Sequence, residues 1–139
     1  MILINPPFTA SQQGRAKGSN KTSVPLTRLQ VKMHADNLAE TSRGLFAKFL
    51  HRIRRECKGR HAWLRLFSKL KYVNASNDQK LRDDVFRYKF ARGLMFSSVN
   101  FSGTPRNSQF PVGVLLWNLK VSKALQAQTI TLDVFDTAV

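Results

Sequence analysis

The sequence predicts an α/β fold: parallel strands covered by helices, with an antiparallel hairpin at one edge of the sheet. Two observations carry this reading. As far as residue 90, short apolar runs alternate with amphipathic segments of helical period, a pattern that implies parallel strands joined by crossover helices. Two consecutive strand-like runs follow, joined by a polar segment containing Gly103 and Pro105, and such neighbours pair as a hairpin. The 139 residues suit one domain with a modest core.

Met1-Ile2-Leu3-Ile4 is a short apolar strand. Asn5-Pro6-Pro7 ends it, because proline lacks the amide donor that an interior strand needs. Residues 9–35 are rich in Ser, Gln, Gly, Lys and Arg, contain Pro25 and show little periodicity, so a long flexible loop is expected. It carries Arg15, Lys17, Lys21, Arg28 and Lys32.

Residues 37–56 read as a helix. Leu45, Phe46, Phe49, Leu50 and Ile53 form its apolar stripe, and Lys48, Arg52 and Arg55 share another, solvated face. Asp36 or Asn37 suits its start and Gly59 its end. Residues 61–68 read as a strand. Residues 78–90 read as a second helix, with Leu81, Val85, Phe86 and Phe90 inward. Residues 94–101 and 112–118 are the hairpin strands, and the alternation over 129–135 marks a last strand. There is no internal repeat.

Charge narrows the partners. The chain holds 23 Lys and Arg against 8 Asp and Glu, a formal net charge of +15. Residues 9–71 carry 15 of those cations against Asp36, Glu40 and Glu56. Such a surplus suits a polyanion, nucleic acid first and an anionic membrane surface second; the plain alternative is a solvated basic face. No apolar run approaches the ~18 residues of a membrane span. The opening apolar run is too short for a signal peptide, and a cytoplasmic protein is expected. Cys57 alone cannot form an internal disulfide and suits a reducing compartment. His34, His51 and His61 lack ligand spacing, so no metal site is expected, and each reads as surface or partly buried. Cys57, beside Arg54, Arg55 and Lys58, has no indicated base. Asp83 and Asp84 read as helix surface, and Trp63 and Trp117 as core.

The most informative feature is Asn5-Pro6-Pro7-Phe8 at the end of an apolar strand. Taken alone it is as readily a strand-ending turn over a buried phenylalanine. The tetrapeptide also resembles the Asn-Pro-Pro-aromatic motif of S-adenosylmethionine-dependent amino-methyltransferases, above all the DNA adenine-N6 methyltransferases. Leu66-Phe67-Ser68-Lys69-Leu70-Lys71-Tyr72 is similar to that family's next core strand and its exit. Phe110-Pro111-Val112-Gly113-Val114-Leu115-Leu116-Trp117-Asn118 is similar to a late strand of the same fold. The resemblance spans residue 2 to about residue 120.

What the resemblance implies is specific. The fold would be part of a Rossmann-like methyltransferase sheet. An exocyclic amine is a poor nucleophile, so its hydrogens need acceptors in line with the methyl donor. The Asn5 side-chain carbonyl would take one and the Pro6 backbone carbonyl the other. Pro6 and Pro7 would hold those acceptors in aim, and Phe8 would stack on the flipped base. The sulfonium is already an activated leaving group, so no metal is needed. The basic loop would close over the nucleotide, with Arg15, Lys17, Lys21, Arg28 and Lys32 meeting phosphates.

The cofactor site is the missing part. The glycines are Gly14, Gly18, Gly44, Gly59, Gly93, Gly103 and Gly113, and none makes a Gly-x-Gly. The chain therefore resembles the C-terminal part of a methyltransferase core without its cofactor-binding N-terminal half. The expected partner is DNA; a truncated gene, a mis-called start and a split enzyme with a separately encoded cofactor-binding half as second partner all stay open. Alone, the chain should bind S-adenosylmethionine weakly or not at all, be inactive, and expose the edge of strand 1–4. Two alternatives stay open. One is a fragment of an amino-methyltransferase acting on RNA or a release-factor glutamine; the other is a non-catalytic basic nucleic-acid-binding protein descended from a methylase.

Overall fold

Five strands make one mixed sheet: β1 (Ile2–Ile4), β2 (Trp63–Lys69), β3 (Tyr88–Ser97), β4 (Pro111–Ser122) and β5 (Asp133–Phe135). The computed structural model describes residues 1–6, 28–36, 45–100 and 109–135. The strand order is β1-β2-β4-β3-β5. β1 runs parallel to β2, and β3 parallel to β5. β4 is antiparallel to both of its neighbours. Four strands therefore point one way and β4 alone points back.

The α/β character and the antiparallel β3–β4 pair agree with the sequence reading, but the hairpin is not at an edge. β4 lies inside the sheet, between β2 and β3. Its run Val112-Gly113-Val114-Leu115-Leu116-Trp117 is apolar at consecutive positions, the pattern of a strand with neighbours on both sides.

The helical elements are α1 (Arg28–Ala35), α2 (Leu45–Cys57), α3 (Lys71–Asn74) and a π-helical turn at Leu81–Val85. Short 3₁₀ turns lie at Ser76–Asp78, Ser98–Asn100 and Leu125–Ala127. α1 corrects part of the expected loop over 9–35. Leu29 and Met33 are one helical turn apart and both join the core beside α2. In α2 the buried side chains are Ala47, Leu50 and His51, whereas Phe49 is 41 % exposed. His51 can be buried because its Nε2 meets Asp36 Oδ2 at 2.7 Å. Gly59 ends α2 at φ +75°, a conformation that costs glycine least.

The helix expected over 78–90 stops early. The Phe86 amide donates to Leu81 O at 2.8 Å, Phe86 leaves helical geometry at φ −95° and ψ 74°, and Tyr88 opens β3. Phe90 is then aligned with Trp117 across the sheet.

The helices share one face of the sheet. There Leu64, Leu66, Leu115 and Trp117 meet Ala47, Leu50, Tyr72, Leu81, Val85 and Phe86. Trp117 is fully buried, with edge-on ring contacts to Phe86, Phe90 and Tyr72 at centroid distances of 4.8, 5.5 and 6.2 Å. Trp63, also expected in the core, is 43 % exposed. It pairs with Asn118, one residue out of phase with Trp117, so it belongs to the other face.

Candidate functional site

In sheets with parallel strands, ligands gather beyond the carboxyl ends of those strands. Here that edge holds the ends of β1, β2 and β3 together with the start of β4. β1 is short, so its end is set by Ile4 pairing with Leu66. Asn5 follows at once and is exposed, while Pro6 is buried. A buried proline holds the exit of the strand and leaves the asparagine amide free to meet a ligand.

The neighbouring strand ends are tightly arranged. Ser68 is fully buried opposite Gly113, and its hydroxyl donates to Lys69 O at 3.0 Å. A Cβ on Gly113 would stand 2.5 Å from both Leu70 Cδ2 and Leu115 Cδ1, so glycine is what lets Leu70 fold back over β4. Lys69 Nζ lies 3.9 Å from the centroid of the Phe110 ring, a cation over an aromatic face. The Ser98 amide donates to Phe110 O at 3.0 Å, and the Phe110 amide donates to Ser98 Oγ at 3.1 Å. These bonds clamp the end of β3 to the approach to β4.

Tyr72 closes the inner side of this edge. Its hydroxyl accepts from Trp117 Nε1 at 3.2 Å, and burial holds the phenol well above its ordinary range. It is a neutral structural hydroxyl, unsuited to acid–base work near neutral pH. Beside it Arg82 is 6 % exposed and donates to Tyr72 O at 3.3 Å, Ala75 O at 2.7 Å and Gln79 Oε1 at 2.8 Å. The guanidinium thus answers Tyr72 O at the end of α3 and shares Ala75 O with the Asp78 amide, which donates to it at 3.1 Å. Nothing in the sequence distinguishes Arg82 from the exposed Lys80 and Arg87.

The expected site residues fall into three groups. Asn5 and Pro6 stand together at the carboxyl edge. Pro7, Phe8, Arg15, Lys17 and Lys21 lie outside the described residues. Arg28 and Lys32 are exposed on α1, and among the described residues neither side chain bonds to the Asn5–Pro6 turn. Lys48 is half-buried, whereas Arg52 and Arg55 are exposed on α2. His51, expected at or near the surface, is 1 % exposed.

The opposite end of the sheet carries an open cleft of about 700 Å³, lined by Asp36, His51, Arg54, Cys57, Arg87 and Lys120 among others. Tyr88 lines it too, its phenol pushed up to about 12 by burial. Among the described residues no three His, Cys, Asp or Glu side chains converge to hold a metal. No helix of the described residues is long and apolar enough to cross a membrane. A scan against protein-family models and a search of curated proteins found no match to this chain.

Proposed function

We propose that this chain carries the amine-orienting turn of a DNA adenine-N6 methyltransferase and that the methyl-donor site is not built from its residues. The observation that carries the reading is the exposed Asn5 amide, directly beyond the carboxyl end of a parallel strand and anchored by a buried Pro6. Asn5 Oδ1 accepts one hydrogen of the adenine amine and the Pro6 carbonyl accepts the other, which turns the nitrogen lone pair away from the ring. The net charge of +15 supplies the attraction to a phosphate backbone.

S-adenosylmethionine does not fit this chain's own residues. No Gly-x-Gly occurs in the sequence, and the positive-φ glycine of the described residues, Gly59, is the stop of α2 at the other end of the sheet. The chain's part is therefore to bind DNA and hold the amine. The absence of a cofactor turn also favours a second reading, a basic DNA-binding protein that does no chemistry.

Equilibrium binding separates the two. One duplex carries a single adenine opposite an abasic site; its twin carries purine, which lacks the amine. The wild-type chain should prefer adenine roughly tenfold, the worth of one to two net hydrogen bonds. Asn5→Ala should erase that preference and keep general DNA affinity, since Asn5 is exposed and takes no part in the core. Affinity should also fall with salt at a slope of about 0.9 per phosphate engaged. Equal affinity for both duplexes would remove the methyltransferase reading and leave the DNA-binding protein. Absence of salt-dependent binding would remove both.

A further inference from the structure

The helices of the described residues pack on one face of the sheet. On the other, Trp63, Arg65 and Phe67 of β2 share a surface with Val114 and Leu116 of β4 and with Arg92 and Leu94 of β3. Leu3 of β1 and Phe135 of β5 extend it to both edges. Among the described residues no helix packs there, and the helix-side core cluster contains none of these side chains. Leu3, Trp63, Leu94 and Phe135 are 70, 43, 38 and 54 % exposed. Exposed large apolar side chains gathered on one sheet face mark a contact surface, and here they are Leu3, Trp63, Leu94 and Phe135.

The groove in this face is about 370 Å³ and is lined by Arg65, Leu116, Val114, Arg92, Leu94 and Asp133, with Gly93. Its geometry defines an occupant. Arg65 and Arg92 are both aligned with Leu116, one from each side. They therefore stand two strand spacings apart, about 10 Å. That is the width of a single α-helix. Along the floor, Leu116 and Val114 are two residues apart on one strand, about 7 Å. One turn of helix advances about 5.4 Å, so side chains at i and i+4 can seat against that pair.

The charges define its sign. Among the described residues neither arginine has an ion-pair partner, and Asp133 is the only acid lining the groove. A second copy of this chain would bring two more arginines onto these two. Nucleic acid would have to lay phosphates on an apolar floor. We infer that this face docks an acidic amphipathic helix of a second polypeptide, its apolar stripe on Leu116 and Val114 and its carboxylates on Arg65 and Arg92. The inference rests on packing and charge alone and stands apart from the role of Asn5.

A labelled helical peptide with leucines at i, i+3, i+4 and i+7 and glutamates flanking them is the probe, followed by fluorescence anisotropy. Its twin carries lysine at every glutamate. The glutamate peptide should bind and the lysine peptide should bind at least tenfold more weakly. Arg65→Glu with Arg92→Glu should reverse that preference, and Leu116→Glu should weaken both peptides. Arg65 and Arg92 lie outside the core, and Arg65→Gln with Arg92→Gln offers a milder pair that should lose the preference without reversing it. Failure of both peptides to bind, equal binding of the two, or no reversal in the charge-swapped chain would overturn the inference. So would a concentration-dependent dimer of the chain alone that Leu116→Glu dissolves, because the face would then belong to a second copy. No DNA or adenine enters this assay, so its failure leaves the reading of Asn5 untouched, and the converse holds.

Discussion

Trp117 offers the most direct test of how the sheet and helices are joined. It is fully buried and surrounded by Tyr72, Phe86 and Phe90. Replacement by alanine removes the indole and leaves a cavity walled by three rings, which stiff aromatic neighbours cannot collapse. The expected cost is about 4–5 kcal/mol, the upper part of the range for large aromatic truncations. At a urea slope of about 2 kcal/mol/M the unfolding midpoint falls by about 2 M. Trp117→Phe keeps a ring against Phe86 but removes the donor to the Tyr72 hydroxyl. It should cost about 1–3 kcal/mol. A cycle with Tyr72→Phe isolates the bond itself, at about 1 kcal/mol of coupling. The assay is urea unfolding followed by far-ultraviolet circular dichroism, which does not depend on the tryptophan removed. A loss below about 1 kcal/mol for Trp117→Ala would refute the packing argument, since a fully buried indole cannot vanish so cheaply.

Two further predictions concern groups that the core has enclosed. Arg82→Met should destabilise the chain by about 2 kcal/mol, because it strips Tyr72 O of its buried partner and leaves Ala75 O to the Asp78 amide alone, and amide exchange should rise first around α3. Stability should also fall at high pH. Tyr88 is pushed from 10.0 to about 12, and burial raises Tyr72 as well. Below pH ~10 the phenols are protonated in both states and their contribution is intact; above it the unfolded chain loses its protons first, and the contribution is lost as pH rises through the folded values. Phenolate absorbance of the folded chain should therefore rise late. A rise centred on the ordinary tyrosine value, with no loss of stability above pH 10, would contradict the burial of these rings.

Local pattern was enough to place most of the strands. It reads the runs over 61–68 and 112–118 as strands, and they lie on β2 and β4. It failed where one stretch of chain satisfies two periods. Leu81, Val85 and Phe86 suit a helix face, and Phe86, Tyr88 and Phe90 suit a strand face equally well. Pairing of Tyr88–Phe90 with β4 decided the matter. α1 was missed because Arg28–Ala35 is too short and too polar to declare itself, and it is held through Met33 against the core.

The candidate site divides in the same way. Asn5 and Pro6 were legible because a proline pair after an apolar run must end a strand, whatever surrounds it. That Asn5 is exposed and Pro6 buried depends on β2, some sixty residues on, pairing with β1. Burial of His51 and Arg82 likewise depended on partners that tertiary contact alone supplied: Asp36 for one, the carbonyls of Tyr72 and Ala75 for the other. Sequence by itself determined the period of each segment, the basic surplus and the stop after Ile4, because these are properties of neighbouring residues. The tertiary structure decided the interior position of β4, the placing of Arg65 and Arg92 on either side of Leu116, and which polar groups could be buried. Each of those needs hydrogen bonds or packing between distant segments, which no local pattern contains.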